Sequence, residues 1–350
     1  MLSLSYRTFE LHKRIALAIS RGKASASHSV IIKIESDSVV GLGEAAEFDI
    51  PNYSEQLPKL LADINTASAL IEHHDPFDRI GIETTLLGAG IGSSVRNAVN
   101  MALFDWAGKV LSVPVWKLLG IDRGPKNPIS VTVGINTPQG AVERLNAWFE
   151  LGTIRGIKVK MGSPAGIKAD QDMMEAIRDK LPAHAYVGVD ANGGWRLDQA
   201  IEMSKWLGSR GVVHIEQPLA PEAYRDFPEL FKRTQLPVFL DESCCSAKHV
   251  LEHGRYCHGV NIKLTKCGGL NEALRMITIA KSMNLQTMIG CYGNTALGNA
   301  AAHQFASMLD YIDLDSHLNL LDDPTTGLEF RDGYLVNSDR SGLGVDCVES

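Results

Sequence analysis

The sequence predicts an α/β fold, a closed (β/α)8-type barrel preceded by a small α+β unit. Two observations predict it. From Pro128 onward, eight short β-rich runs alternate with helical runs, recurring about every 25 residues, the pattern of parallel βαβ units. Before Pro128 the pattern differs: SVIIKIESDSVVGLGEA reads as two strands of an antiparallel meander joined by a short turn, and helices follow it.

In chain order, the longest helical run extends from about Ser94 to Leu119, with Pro114 breaking or restarting it. Gly88, Gly90 and Gly92 in LLGAGIGSS precede that helix. No strand motif precedes them and no Gly-Lys-Ser/Thr follows, so they read as a loop and helix start rather than a phosphate cradle. The barrel strands are ISVTVGI, GIKVKM, YVGVD, VVHIE, VFLD, GVNIKL, TMIGC and YIDLD. Helices such as Gln139 to Leu151 and Leu270 to Met283 separate them. An open doubly wound sheet is the alternative arrangement. The eighth strand lacks an obvious following helix. The tail instead carries LEFRDGYLVN, two apolar runs around an Asp-Gly turn, which reads as a hairpin able to join the N-terminal unit.

The totals agree with an ordinary globular protein: 350 residues, 45% hydrophobic and 21% charged. A net charge of -7 argues against a nucleic-acid partner. No apolar run reaches the roughly 18 residues of a membrane span, and His12, Lys13 and Arg14 interrupt any signal-peptide pattern. The six cysteines show no zinc-site spacing and read as reduced thiols of a cytoplasmic protein.

Three acidic residues end consecutive strands: Asp190 the third, Glu216 the fourth, Asp241 the fifth. In a barrel this sets three carboxylates side by side at the C-terminal rim, where barrel active sites lie. They repel one another unless they share a proton or a cation, and oxygen ligands of this kind suit Mg2+. Asn192 either orients Asp190 or only shapes the Asn-Gly-Gly turn, and His214 reads as a packed interior histidine.

Strand two carries Lys158 and Lys160 on one face, and strand six, diametrically opposite, carries Lys263, with Lys266 just beyond. Lys160 and Lys263 are expected to face each other across the barrel mouth. That arrangement suits abstraction of a proton α to a carboxylate, with Mg2+ offsetting the charge that develops. A free lysine has a pKa of about 10.4, so a neighbouring ammonium (Lys158) and the metal are expected to lower that of Lys160. Two lysines on opposite faces of one carbon make an epimerase. On strand eight, Asp313 and Asp315 share a face opposite the metal and are placed to receive a cationic group of the substrate.

GIKVKM, VGVDANGGW, IEQPL, FLDES and NIKLTKCGGLNEAL resemble the strand motifs of the enolase superfamily, muconate-lactonising subgroup, and FDWAGKVLSVPVWKLLG resembles the helix before the barrel in that group. The resemblance covers nearly the whole chain. It implies a (β/α)7β TIM-like barrel over residues 126-315, under an α+β capping domain of residues 1-125 completed by 316-350. It implies Asp190, Glu216 and Asp241 as Mg2+ ligands, Lys160 and Lys263 as the acid/base pair, and Lys158 as auxiliary. TMIGC lacks the strand-seven histidine of the mandelate-racemase branch, which points to the two-lysine branch.

Within that branch the D-x-D of strand eight resembles the dipeptide epimerases. The resemblance implies that Asp313 and Asp315 hold the α-ammonium of a small dipeptide, and that its second residue is inverted by 1,1-proton transfer through an enediolate, as in L-Ala-D/L-Glu epimerases of peptidoglycan peptide metabolism. Arg21, with Lys23 as the other candidate, is expected to read an acidic side chain from a capping loop, and Phe48 to Tyr53 forms the second specificity loop. The segment GCYGNTALG departs from relatives that carry an acidic residue there, having Asn294. N-acylamino-acid racemisation, o-succinylbenzoate synthesis and muconate cycloisomerisation use the same lysines and metal and stay open as alternatives. No membrane partner is expected, and a homo-oligomer is left open.

Overall fold

The computed structural model describes residues 1–124 and 127–348. The expected boundary between residues 125 and 126, and the last two residues, lie outside that range. Three antiparallel strands, Ser3–Ile19, Gly22–Ser36 and Val39–Ala46, form the N-terminal sheet. The second and third meet in a tight turn whose residues, Asp37 and Ser38, both hold left-handed φ angles (51° and 62°), the geometry of hairpin turns that match strand twist. The helix Ser93–Val110 lies across the third strand. It approaches so closely because Gly41 and Gly43 have no side chain: a Cβ on either would sit 2.0 Å from a carbonyl of Ala102 or Ala98. Ile32, Ile34, Leu60, Ile64 and Leu103 form the core of this unit.

Eight parallel strands follow in sequential order: Ser130–Val133, Gly156–Lys160, Tyr186–Asp190, Val212–Glu216, Val238–Leu240, Gly259–Ile262, Gln286–Gly290 and Tyr311–Asp313. A bridge between Ile129 and Ile312 closes the ring. The expected (β/α)7β barrel is what forms. Immediately after the eighth strand comes a 3-10 turn, Ser316–Asn319, in the place of an eighth barrel helix.

The tail hairpin also forms, Glu329–Arg331 pairing with Tyr334–Val336. It seats at the N-terminal ends of the first barrel strands, where Gly333 O accepts from Ile129 N (2.9 Å) and Asp332 O from Arg155 Nε (2.8 Å). Other parts of the tail bond to the N-terminal unit: Leu321 N donates to His12 O (2.9 Å) and Leu343 N to Asp105 Oδ1 (2.7 Å). No helix among the described residues is long and apolar enough to cross a membrane.

Candidate active site

Strand register builds the site. Lys160, Asp190 and Glu216 are direct partners across strands two, three and four, so all three reach the C-terminal rim at one level. Asp241 follows strand five by one residue. The three carboxylates are completely buried and offer oxygens that all lie within 4.8 Å of one another. An all-oxygen set of this kind fits a hard dication. The electrostatics agree, since burial and the adjacent Asp190 push Glu216 up to about 8, a penalty that a cation among the carboxylates relieves.

Around them stand the lysines. Lys160 Nζ donates to Asp190 Oδ2 at 2.6 Å and Lys263 Nζ to Asp241 Oδ2 at 2.7 Å. Burial raises Asp241, but Lys263 and Lys266 outweigh it and hold the carboxyl well below the usual range. Lys158 is paired with Glu216 and, at 2.5 Å, with Asp313 Oδ2. Burial lowers Lys158, yet these two carboxylates more than reverse it. Its charge is therefore matched on both sides rather than directed at Lys160 alone. Asn192 does orient Asp190, through its backbone N (2.7 Å to Oδ1) and Nδ2 (3.1 Å to Oδ2). His214 packs between Phe239 and Tyr311, and burial takes it down to about 3.

Lys160, Lys263, Asp313 and Asp315 open on one cavity of about 380 Å³, roofed by the N-terminal unit through Leu17, Ile19, Arg21 and Asp49. Asp313 gives one oxygen to Lys158 and the other to Ser130 Oγ (2.7 Å). Asp315 Oδ2 accepts from Thr132 N (2.7 Å), while Oδ1 accepts from no donor among the described residues. Arg21 reaches the cavity but is already engaged: Nη1 donates to Glu242 Oε1 at 2.7 Å and to Asn192 O at 3.1 Å. Lys23 is exposed at the rim. The expected second loop is a small hairpin, Phe48–Ile50 with Tyr53–Glu55, whose Phe48 packs on Tyr292 (5.2 Å).

Sequence reasoning did not name Asn261, whose Nδ2 holds Glu216 Oε1 at 2.7 Å. The signal was present, because it lies two residues before Lys263 on the same strand face. Tyr292, whose ring lies under the Lys263 ammonium (4.6 Å), and Arg144, a buried guanidinium lowered to about 10 by burial, carried no such signal.

Fold and site together define a capped barrel enzyme with a buried carboxylate triad between two lysines. Residues 5–120 match the model of the mandelate racemase/muconate lactonizing enzyme N-terminal domain and residues 140–350 that of the enolase C-terminal domain-like family. The chain belongs to the mandelate racemase/muconate lactonizing enzyme family of the enolase superfamily. It is 38% identical to a hydrophobic dipeptide epimerase of Roseobacter litoralis, over 98% of both chains. It is 31% identical to an L-Ala-D/L-Glu epimerase of Bacteroides thetaiotaomicron, over 98% of this chain and 88% of that one. The crystal structure of a dipeptide epimerase from Enterococcus faecalis, complexed with Mg and L-Leu-L-Tyr, superposes with a TM-score of 0.91 at 26% identity, covering 98% of each chain.

Proposed function

We propose that this protein is an isomerase, a Mg2+-dependent dipeptide epimerase that inverts the α-carbon of the second residue by proton transfer between Lys160 and Lys263. The observation that carries this reading is one cavity onto which Lys160, Lys263 and the Asp313–Asp315 pair open, the two lysines being bonded to Asp190 and Asp241 of the buried triad. Asp190, Glu216 and Asp241 would hold the magnesium ion, which would offset negative charge on the substrate carboxylate. Lys160 ends strand two and Lys263 follows strand six by one residue, and those two strands stand four places apart in the ring of eight, on opposite sides of the barrel. One takes the α-proton and the other returns a proton to the far face of the planar intermediate. Asp315, with an oxygen open to the cavity, receives the dipeptide's ammonium. Asp313 supports it while holding Lys158, which acts as the auxiliary cation.

For the second side chain, we favour a hydrophobic residue. Leu17, Ile19 and Tyr292 line the cavity, and the names of the Roseobacter relative and the Enterococcus ligand support this choice. A glutamyl side chain, the expectation placed on Arg21, has to compete with Glu242 for that guanidinium. In this reading Arg21 closes the pocket wall. Residues 1–125 with 316–350 act as the cap and 126–315 as the barrel. The six cysteines, all free, support a cytoplasmic setting.

The test is proton NMR in D2O with Mg2+ and a dipeptide panel that includes L-Leu-L-Tyr, L-Ala-L-Leu and L-Ala-L-Glu. Deuterium is expected at the α-carbon of the second residue, with a new diastereomer, and kcat/KM is expected to favour the hydrophobic substrates by roughly tenfold or more. A preference for L-Ala-L-Glu restores the glutamyl reading. Exchange in N-acylamino acids but in no dipeptide overturns the dipeptide assignment.

A further inference from the structure

Lys266 takes no part in the proton transfer described above, yet among the four lysines beside the triad its side chain is the most enclosed, at 1% exposure. Its ammonium donates to Asp241 Oδ1 and to the Asp241 main-chain oxygen. The carbonyls of Asn261 and Cys244 lie at 3.3 and 3.4 Å. An ammonium has three protons to give, and here four oxygens surround it. Asp241 thus has a separate cation on each carboxylate oxygen, Lys266 on Oδ1 and Lys263 on Oδ2. Through the same contacts Lys266 joins the loop after strand five to the end of strand six.

The segment that carries Lys266 is itself held. It is a single helical turn, Leu264–Cys267, stopped by Gly268 and Gly269 with left-handed φ angles of 95° and 122°. A Cβ on Gly269 would fall 2.7 Å from Asn100 Oδ1, so the long helix of the N-terminal unit presses directly on this turn. A charge buried this deeply is unfavourable unless well paired, and this one spends its pairing on a single carboxylate and the backbone beside it.

We propose that Lys266 is a positioning residue for the metal centre. It fixes the Asp241 carboxylate and the adjoining strand ends, so that Lys263 can leave Asp241 and turn to the substrate without the ligand rotating. This rests on the reading of Asp190, Glu216 and Asp241 as the Mg2+ site.

Calorimetric titration with MgCl2 alone, on the wild type, Lys266→Met and Lys263→Met, tests it, with thermal melting to establish that each variant is folded. Both substitutions remove one positive charge beside the triad, so the difference between them reads positioning rather than charge. Lys266→Met is expected to weaken Mg2+ binding by roughly tenfold or more, and Lys263→Met to leave it within about threefold or tighten it. If Lys266→Met does not fold, Lys266→Gln, which keeps donors for the carbonyls, is held to the same criterion. A folded variant at Lys266 that binds Mg2+ as the wild type does overturns the inference, as does equal weakening by Lys263→Met. A wild type that gives no Mg2+ signal overturns the triad reading and this inference with it.

Discussion

Asp313 and Asp315 look equivalent in the sequence but not in the fold. Both oxygens of Asp313 are committed, to Lys158 and Ser130, whereas Asp315 keeps one oxygen open to the cavity. Burial raises Asp315, with Asp313 adding to the effect, while at Asp313 burial is outweighed by Lys158 and Lys160 and the carboxyl is lowered. A hydrogen bond to a charged group contributes about 1.5–3 kcal/mol, so Asp315→Asn is expected to raise KM for dipeptides by roughly 10- to 100-fold with a smaller change in kcat. Asp313→Asn releases Lys158 and is expected to lower kcat as well. Steady-state kinetics on one dipeptide separates the two, and equal effects on KM and kcat from both changes would show that the ammonium does not single out Asp315. The position of Asp313 was legible because alternation along a strand decides which face a side chain takes, whereas Asp315, expected on the same strand, lies past its end at the start of the 3-10 turn. The pairings were not legible, since Lys158 with Asp313 and Arg21 with Glu242 join distant parts of the chain, and no local pattern encodes such a meeting.

At the scale of elements, the N-terminal unit grips the barrel by the ends of its helices. Asn100, on the helix Ser93–Val110, accepts from Leu270 N (2.8 Å) and Asn271 N (3.3 Å) at the start of the helix after strand six. Glu44, on the third strand of the N-terminal sheet, accepts from Thr295 N (3.0 Å) and Gly298 N (2.8 Å) at the start of the helix after strand seven. These are N-caps supplied from another part of the chain, and the helices they cap follow the loops carrying Lys263 and Tyr292. Asn100→Ala is expected to destabilise the protein by about 1–2 kcal/mol, because a cap is lost and buried N–H groups are left unpaired. Asn100→Asp, which keeps the acceptor, is expected to recover most of that in urea unfolding. A neutral Asn100→Ala would mean that the contact between the two units does not depend on this cap. The eight barrel strands were legible from their spacing and β-branched content. The first strand, Ser3–Ile19, was not, because it carries charge along its length and is largely exposed or half-buried, which hides the alternation that marks a strand. The cross-unit caps were equally hidden, as an Asn in a helix and a Glu in a strand announce no partner.

For the molecule as a whole, the tail that seals it also makes its stability depend on acid. His303 Nδ1 pairs with Asn337 Oδ1 (2.8 Å), just after the tail hairpin, and Asn337 Nδ2 returns to Arg123 O and His303 O. His317, on the turn after the eighth strand, has its Nδ1 2.8 Å from Asn299 Nδ2, a contact that needs an unprotonated nitrogen because the amide is the donor. Burial takes both histidines from 6.5 down to about 4. In the unfolded chain each takes up its proton near 6.5, in the folded protein only near 4. Between those values the unfolded state binds more protons, so stability is lost as the pH falls through this window, and the loss from these groups ends below about 4, where both states are protonated. The depression at His317 corresponds to on the order of 3 kcal/mol. His317→Gln keeps an acceptor for Asn299 but takes up no proton. Urea unfolding at pH 7 and pH 4.5 is therefore expected to show a smaller loss of stability on acidification in His317→Gln than in the wild type. The measurement is made without metal or substrate, because Asp315 and Ser316, just before His317, line the cavity. An unchanged pH slope would mean that His317 is not kept neutral by its burial, and that the acid sensitivity of the tail lies with His303.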